Sequence, residues 1–363
     1  MNATQQLHNL GQSLWLDNIT RALLDDGTLA RYIRDFAITG LTSNPTIFEH
    51  AIGNSDTYDE AIRRKARDGK SGEALFFELA LEDLTRAADL LRSIFDATAG
   101  IDGWVSLEVS PLLAHDAART IAAAADLHAR AARANLFIKI PGTPEGLEAV
   151  EASIFAGVPI NVTLLFSCAQ YQAAAEAYLR GIERRIGAGL DPKVGSVASL
   201  FVSRWDVAAN KTLPQRLNNR LGIAVATQAW RAYRELLASP RWHKVLEAGA
   251  QAQRLLWAST GTKDPGTPDT LYVEQLAAPE TINTMPEKTL HAFADHGQVK
   301  QALTMQGDAG EAVLAECRLE GIDLDALEAR LQREGTDAFA TSWRKLLESI
   351  ASKATKLAGS DKA

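Results

Sequence analysis

The chain has 363 residues, 46% of them hydrophobic and 23% charged, with a formal net charge of −7. That is an ordinary globular balance, and the acidic excess argues against nucleic acid or an anionic membrane as a partner. An anionic ligand would have to be held by a local basic site.

The N-terminus, MNATQQLHNLGQS, has no apolar core of the kind a secretory signal needs. The two cysteines, Cys168 and Cys317, lie far apart and at no metal-ligand spacing. Isolated thiols suit a reducing compartment, so a cytoplasmic protein without a bound metal is expected.

Short apolar segments then alternate with longer segments of helical period. In chain order, strands are expected at SLWLDN (13–18), AITGLT (37–42), GWVSLEV (103–109), LFIKI (136–140), PINVTLL (159–165), VGSVASLFV (194–202), RLLWAS (254–259) and TINTM (281–285). Several are continuous Val, Ile and Leu runs, the pattern of parallel strands buried on both faces. Between them, residues 73–95 repeat apolar side chains at helical spacing. The Ala-rich run 117–134 is interrupted by Asp126, His128, Arg130 and Arg133, so it reads as a core-lining helix and not a membrane span. Asn44-Pro45 and Thr143-Pro144 each place a capping residue before a proline at the first helical position. Gly157 ends the helix that follows the fourth strand.

Residues 210–253 read as a mostly helical insertion. Residues 288–357 read as C-terminal helices, ending in a frayed tail, SKATKLAGSDKA. Eight β-then-α units point to an α/β protein, a (β/α)8 TIM barrel with additional helices, as a single domain over residues 1–363. A doubly wound open sheet is the competing architecture, but no Gly-rich dinucleotide fingerprint follows an early strand.

In such a barrel the chemistry lies at the C-terminal ends of the strands. The polar residues expected there are Asp17, Thr42, Asn44, Glu108, Lys139, Asn161, Thr163, Ser199, Arg204 and Ser259. Each has a plainer reading. Asn44 is also a helix cap, Thr42 and Thr163 are also ordinary β-branched strand residues, and Arg204 could be a surface ion-pair residue. Lys139 sits among Leu136, Phe137, Ile138 and Ile140, where an ammonium is costly. Either its amine reaches water, or Glu108 and Asp17 neutralise it, or it serves chemistry. Burial favours the neutral amine, which can form an imine with a ketone and so act as an electron sink for breaking a neighbouring carbon–carbon bond. Two carboxylates in different surroundings suit the proton transfers which that reaction needs.

The stretches LWLDNITR, GLTSNPTIFEHAI, VSLEVSP, NLFIKIPGTPEG, PINVTLLFS, SVASLFVSRWD and LLWASTGTKDP together resemble the transaldolases, in particular the longer bacterial subfamily. The resemblance runs from the first strand to the seventh, with TINTMP as the eighth. It implies a (β/α)8 barrel that moves a dihydroxyacetone unit from sedoheptulose 7-phosphate to glyceraldehyde 3-phosphate, giving erythrose 4-phosphate and fructose 6-phosphate. It also implies a place in the cytoplasmic non-oxidative pentose phosphate pathway, sugar phosphates as partners and no cofactor; the sequence leaves monomer and homodimer open.

Matched motif by motif, Lys139 is the Schiff-base lysine. Glu108 is the acid working through a water that Thr163 helps hold, and Asp17 is the acid/base at the C4 hydroxyl. Asn44 and Asn161 hold the dihydroxyacetone hydroxyls, with Thr42 and Ser199 lining the same pocket. Arg204 and Ser259 meet the phosphate. Shorter members carry a second arginine after the strand-seven serine. Here that stretch is STGTKDP, and Lys263 is the nearest cation, otherwise a solvated loop lysine. Some longer members are fused to a sugar-phosphate isomerase; a single activity is expected here. The alternatives are an aldolase that releases dihydroxyacetone and a non-catalytic barrel that only binds sugar phosphates.

Overall fold

The computed structural model describes residues 2–300, 302–305 and 309–360. Eight strands, β1 (Ser13–Leu16), β2 (Ile38–Leu41), β3 (Trp104–Glu108), β4 (Leu136–Pro141), β5 (Ile160–Leu165), β6 (Ser196–Phe201), β7 (Arg254–Ala258) and β8 (Ile282–Met285), form one closed barrel in chain order. Every neighbouring pair is parallel, β8 to β1 included. The TIM barrel read from the alternation of apolar segments and helices is therefore the observed fold, and all eight strands lie where the sequence put them.

The unbroken apolar runs follow from closure. Side chains alternate across a strand, so one set points into the barrel and the other towards the helices. Leu14, Leu16, Val105, Leu107, Ile138, Ile140, Ile160, Val162, Leu200 and Leu255 belong to the large apolar cluster shared with the surrounding helices. The opposite set, Trp15, Trp104, Phe137, Val197, Leu256 and Ile282, forms a second cluster. Trp104 and Phe137 stack with centroids 3.9 Å apart, and Trp15 leans on Phe137 at 6.2 Å. One pleat further along β3 and β4 on this inward face come Ser106 and Lys139, so the interior passes from an aromatic floor to a polar upper end.

The helix ends obey the local signals. Asn44 accepts from the Ile47 amide at 3.0 Å with Pro45 behind it, Thr143 accepts from the Gly146 amide at 3.0 Å, and Gly157 caps in the left-handed region at φ 88°. The helix read over 73–95 spans Gly72–Ala97, and the Ala-rich run forms the helix Ala117–Ala131. Among the described residues no helix is long and apolar enough to cross a membrane.

The stretch 210–253 belongs to the β6-to-β7 crossover and holds the helices Leu221–Leu237 and Pro240–Glu247. Beyond β8 come Glu287–His296, Ala309–Leu319 and the long helix Leu324–Ser360. The frayed tail expected from Ser352 is a correction: the helix continues to Ser360, and residues 361–363 lie outside the described residues. Tertiary contacts hold it. Lys353 Nζ donates to the Ser55 carbonyl at 2.7 Å and to Asp59 at 2.6 Å, while Ile350 is buried and Leu357 packs on the core.

The floor dictates one glycine. An added Cβ at Gly40 would lie 2.6 Å from the indole of Trp15, which is fully buried and donates its Nε1–H to Asp102 at 2.8 Å. Gly40→Ala should therefore destabilise the barrel by about 1–3 kcal/mol, the usual cost of overpacking. Urea denaturation is expected to show a lower midpoint with an unchanged slope; an unmoved midpoint would mean that β1 and β2 have room to separate.

Candidate active site

The upper end of the barrel holds a cavity of about 240 Å³. Its wall takes Asp17 from the end of β1, Thr42 and Asn44 from that of β2, Lys139 from β4 and Thr163 from β5. Ser199 from β6, Arg204 from the helix after it, and Ser259 and Lys263 from the segment after β7 complete the expected set. Two expected residues stand behind the wall. Glu108 and Asn161 flank Lys139 in register on β3 and β5, and both are buried.

Lys139 is almost wholly removed from water. Its Nζ donates to the Ser43 carbonyl at 2.9 Å and lies 3.2 Å from Glu108 Oε2, with both side chains at most 5% exposed. The contact with Glu108 is an ion pair outside hydrogen-bond geometry, and Oε2 accepts no hydrogen bond among the described residues. Burial pushes the Glu108 carboxyl above its ordinary range, while the neighbouring Lys139 pulls the other way. Around the foot of Lys139 runs a polar network. Ser43 Oγ donates to the Ser106 carbonyl, Asn161 Nδ2 to Ser106 Oγ and Ser199 Oγ to Asn161 Oδ1, at 2.7, 3.1 and 2.7 Å. Asn161 thus ties three strands together, and one of its amide hydrogens is left unengaged by these bonds.

Asp17 meets a different environment. It accepts from Thr42 Oγ1 at 2.7 Å, and Thr42 Oγ1 lies 2.7 Å from Thr284 Oγ1. A hydroxyl has one hydrogen, so when Thr42 donates to an ionised Asp17, Thr284 must donate to Thr42. Burial raises the Asp17 carboxyl, with Lys139, the Thr42 hydrogen bond and Lys263 opposing. Asn44 lines the cavity and uses its Oδ1 for the cap, a bond that does not engage its amide nitrogen.

Thr163 Oγ1 is buried and has no hydrogen-bond partner among the described residues. Arg204 is half-buried, makes no ion pair among the described residues and lies 5.9 Å over the Phe201 ring; burial lowers its pKa. Ser259, in the left-handed region at φ 56°, shares a hydrogen bond with Ser203 Oγ at 2.9 Å. Lys263 is exposed at the rim.

Sequence reasoning missed Ser43, Thr284 and Phe339. Thr284 was within reach, two residues after Ile282 on the inward face of β8. Ser43 acts through its backbone carbonyl, which side-chain identity does not advertise. Phe339 comes from the C-terminal helix, with its ring 6.0 Å from Lys139 Nζ, and nothing local marks it.

The raised Asp17 carboxyl has a consequence for stability. The folded state keeps that proton at pH values where the unfolded chain has released it, so this group makes stability fall as pH rises out of the ordinary carboxylate range. Asp17→Asn removes that contribution. Denaturation between pH 4 and about 8 should show a shallower fall than in the parent, with stability at neutral pH no lower than the parent's. A steeper fall would mean that Asp17 is held ionised in the fold.

Residues 14–350 match the family described as Transaldolase/Fructose-6-phosphate aldolase. A protein named Transaldolase from Thiobacillus denitrificans is 44% identical over 358 residues, covering 96% of this chain and all of that protein. Proteins of the same name from Parafrankia sp. and Saccharopolyspora erythraea are each 45% identical, over 94% and 95% of this chain and 95% and 96% of their own length.

Proposed function

Because this chain belongs to the transaldolase/fructose-6-phosphate aldolase family, we propose that its barrel transfers a dihydroxyacetone unit between sugar phosphates through an imine on Lys139. The protein is a transaldolase. The observation that carries the residue assignment is the buried Lys139, which lines the cavity with Glu108 paired to it from behind the wall.

Proton transfer from Lys139 to Glu108 turns two buried charges into two neutral groups, and the raised Glu108 carboxyl favours it. The free amine attacks C2 of a ketose phosphate such as sedoheptulose 7-phosphate or fructose 6-phosphate. Glu108 then protonates the departing hydroxyl through a water held with Thr163, whose unengaged buried hydroxyl supports that role. The iminium withdraws electrons from the C3–C4 bond. Asp17 takes the proton from the C4 hydroxyl, the bond breaks, and the aldose phosphate leaves while its electron pair forms the enamine.

Asn44, Thr42 and Ser199 hold the three-carbon fragment, with Asn161 behind the wall orienting Ser199 towards it. The enamine attacks the next aldose, Asp17 returns its proton to the new hydroxyl, and hydrolysis frees Lys139. Arg204, with Ser259 and the rim cation Lys263, takes the phosphate; a half-buried guanidinium on the cavity wall that makes no ion pair among the described residues, with Glu334 acting on it only at longer range, supports that reading. The imine serves as the electron sink, so the reading requires no metal or organic cofactor. It places the protein in the cytoplasmic non-oxidative pentose phosphate pathway, as a single domain acting as a monomer or homodimer.

The test uses borohydride with fructose 6-phosphate. Reduction should leave a covalent sugar adduct on Lys139, and Lys139→Ala should lose both adduct and turnover while staying folded. With fructose 6-phosphate alone, little dihydroxyacetone should appear; adding erythrose 4-phosphate should speed release of glyceraldehyde 3-phosphate and produce sedoheptulose 7-phosphate. Turnover in a folded Lys139→Ala protein would end the imine reading. Dihydroxyacetone accumulating in step with glyceraldehyde 3-phosphate, without acceptor, would make the enzyme an aldolase.

Arg204→Ala should raise KM for fructose 6-phosphate by about ten- to a hundredfold, the worth of a lost charge-assisted contact, and change KM for unphosphorylated fructose far less. Equal effects on the two sugars would remove Arg204 from phosphate recognition.

A further inference from the structure

The ladder between β5 and β6 is in register from Ile160 to Val162 and resumes, shifted, at Leu165. The irregular residues are Thr163 and Leu164, and Leu164 is held at φ 58°. A leucine gains nothing from the left-handed region and stays there only when its surroundings impose it. The bulge changes what the side chains face: Leu164 joins Phe166 in the inner apolar cluster, and Thr163 lies on the cavity wall with Lys139.

The carbonyls of this corner have few ladder partners. The Thr163 carbonyl accepts from the Gly142 amide at 2.7 Å. The carbonyls of Gly142 and Leu164 accept from one group, Gln332 Nε2, at 3.0 and 3.2 Å. Gln332 lies on the long C-terminal helix, and its amide nitrogen carries two hydrogens, one for each strand end. Three residues on, a Cβ at Gly335 would approach Leu164 Cδ2 to 3.0 Å, so the helix seats closely on the bulge. Seven residues on, the same helix face presents Phe339 to Lys139.

We infer that Gln332 is a positioning residue: by bridging the Gly142 and Leu164 carbonyls it locks the β5 bulge and so sets the Thr163 hydroxyl at the imine-forming site. This rests on the role proposed for Thr163. Without the two donors, the carbonyls lose their partner, Leu164 relaxes from the left-handed region, and Thr163 moves with it. Thr163 serves the gain and loss of water at C2, and Gln332 touches neither the sugar nor the phosphate. Losing Gln332 therefore lowers kcat and leaves KM for fructose 6-phosphate in place.

The experiment is a double-mutant cycle in the full-length enzyme with fructose 6-phosphate and erythrose 4-phosphate. Gln332→Met keeps the length and removes the donors; Thr163→Val keeps the shape and removes the hydroxyl. Gln332→Met should lower kcat on the order of tenfold or more, with KM and melting temperature near the parent's, and should slow borohydride-trapped adduct formation on Lys139 in parallel. In the Thr163→Val background the same change should cost less than about twofold, because there is no hydroxyl left to misplace. If the two losses multiply, or if kcat is unchanged, Gln332 does not act through Thr163 and the inference is overturned. Full activity of Thr163→Val alone would overturn the role of Thr163 itself, and the inference with it, an outcome distinct from multiplying losses. Should Gln332→Met fold poorly, Gln332→Glu, isosteric and without donors when ionised, carries the same expectation.

Discussion

A lysine amine and a glutamate carboxylate, 3.2 Å apart and almost wholly removed from water, are the constraint around which the rest of the barrel is arranged. Taking two such charges out of water costs several kcal/mol each, and their attraction offsets that only if the geometry holds and the remaining donors and acceptors are met. The Ser43 carbonyl meets one of the lysine's donors, while Glu108 Oε2 keeps an unused acceptor site. The pair is thus built to be electrostatically tolerable and not fully satisfied.

Holding that geometry is the work of the parallel register. Glu108, Lys139 and Asn161 stand opposite one another on three successive strands, so their side chains enter the barrel at one level. Ser43, Ser106, Asn161 and Ser199 then link β3, β5, β6 and the segment after β2 through side-chain hydrogen bonds. Below them the packed indoles and Phe137 leave no path for the polar layer to sink, and Gly40 yields its side-chain volume to Trp15. Above them the cavity is narrowed by residues that arrive from far along the chain, Phe339 among them. Both carboxyls feel Lys139, but only Glu108 is its close ion-pair partner; Asp17 is held instead by a chain of threonine hydroxyls, Thr42 and Thr284.

Much of this was legible in the residues. Eight apolar segments set the strands because closure makes both faces apolar, and the caps at Asn44 and Thr143 set the helix starts because their chemistry is local. The expected site residues converge on one end of the barrel because the fold delivers every strand's C-terminal end there. The motif resemblance assigned roles that periodicity alone left open, with Asn44 a cap in either case.

Tertiary structure decided the rest. Whether Lys139 would meet water, a carboxylate or neither depended on the register between β3 and β4, which no single segment encodes. Asn161 stands behind the cavity wall because hydroxyls on neighbouring strands claim both ends of its amide. The expected frayed tail is helical because Lys353 finds partners nearly three hundred residues away in sequence while Ile350 is buried in the core. The left-handed Leu164, the brace from Gln332 and the ring of Phe339 have no local signature either, since each exists only where the C-terminal helix lies against the barrel. By itself the sequence determined the strands, the caps and the inventory of reactive groups, since those follow from each residue's own shape, polarity and near neighbours. Which of those groups touch, and at what distance, was settled by closing the barrel and laying the last helix over it, because contact across such separations is a property of the packed chain as a whole.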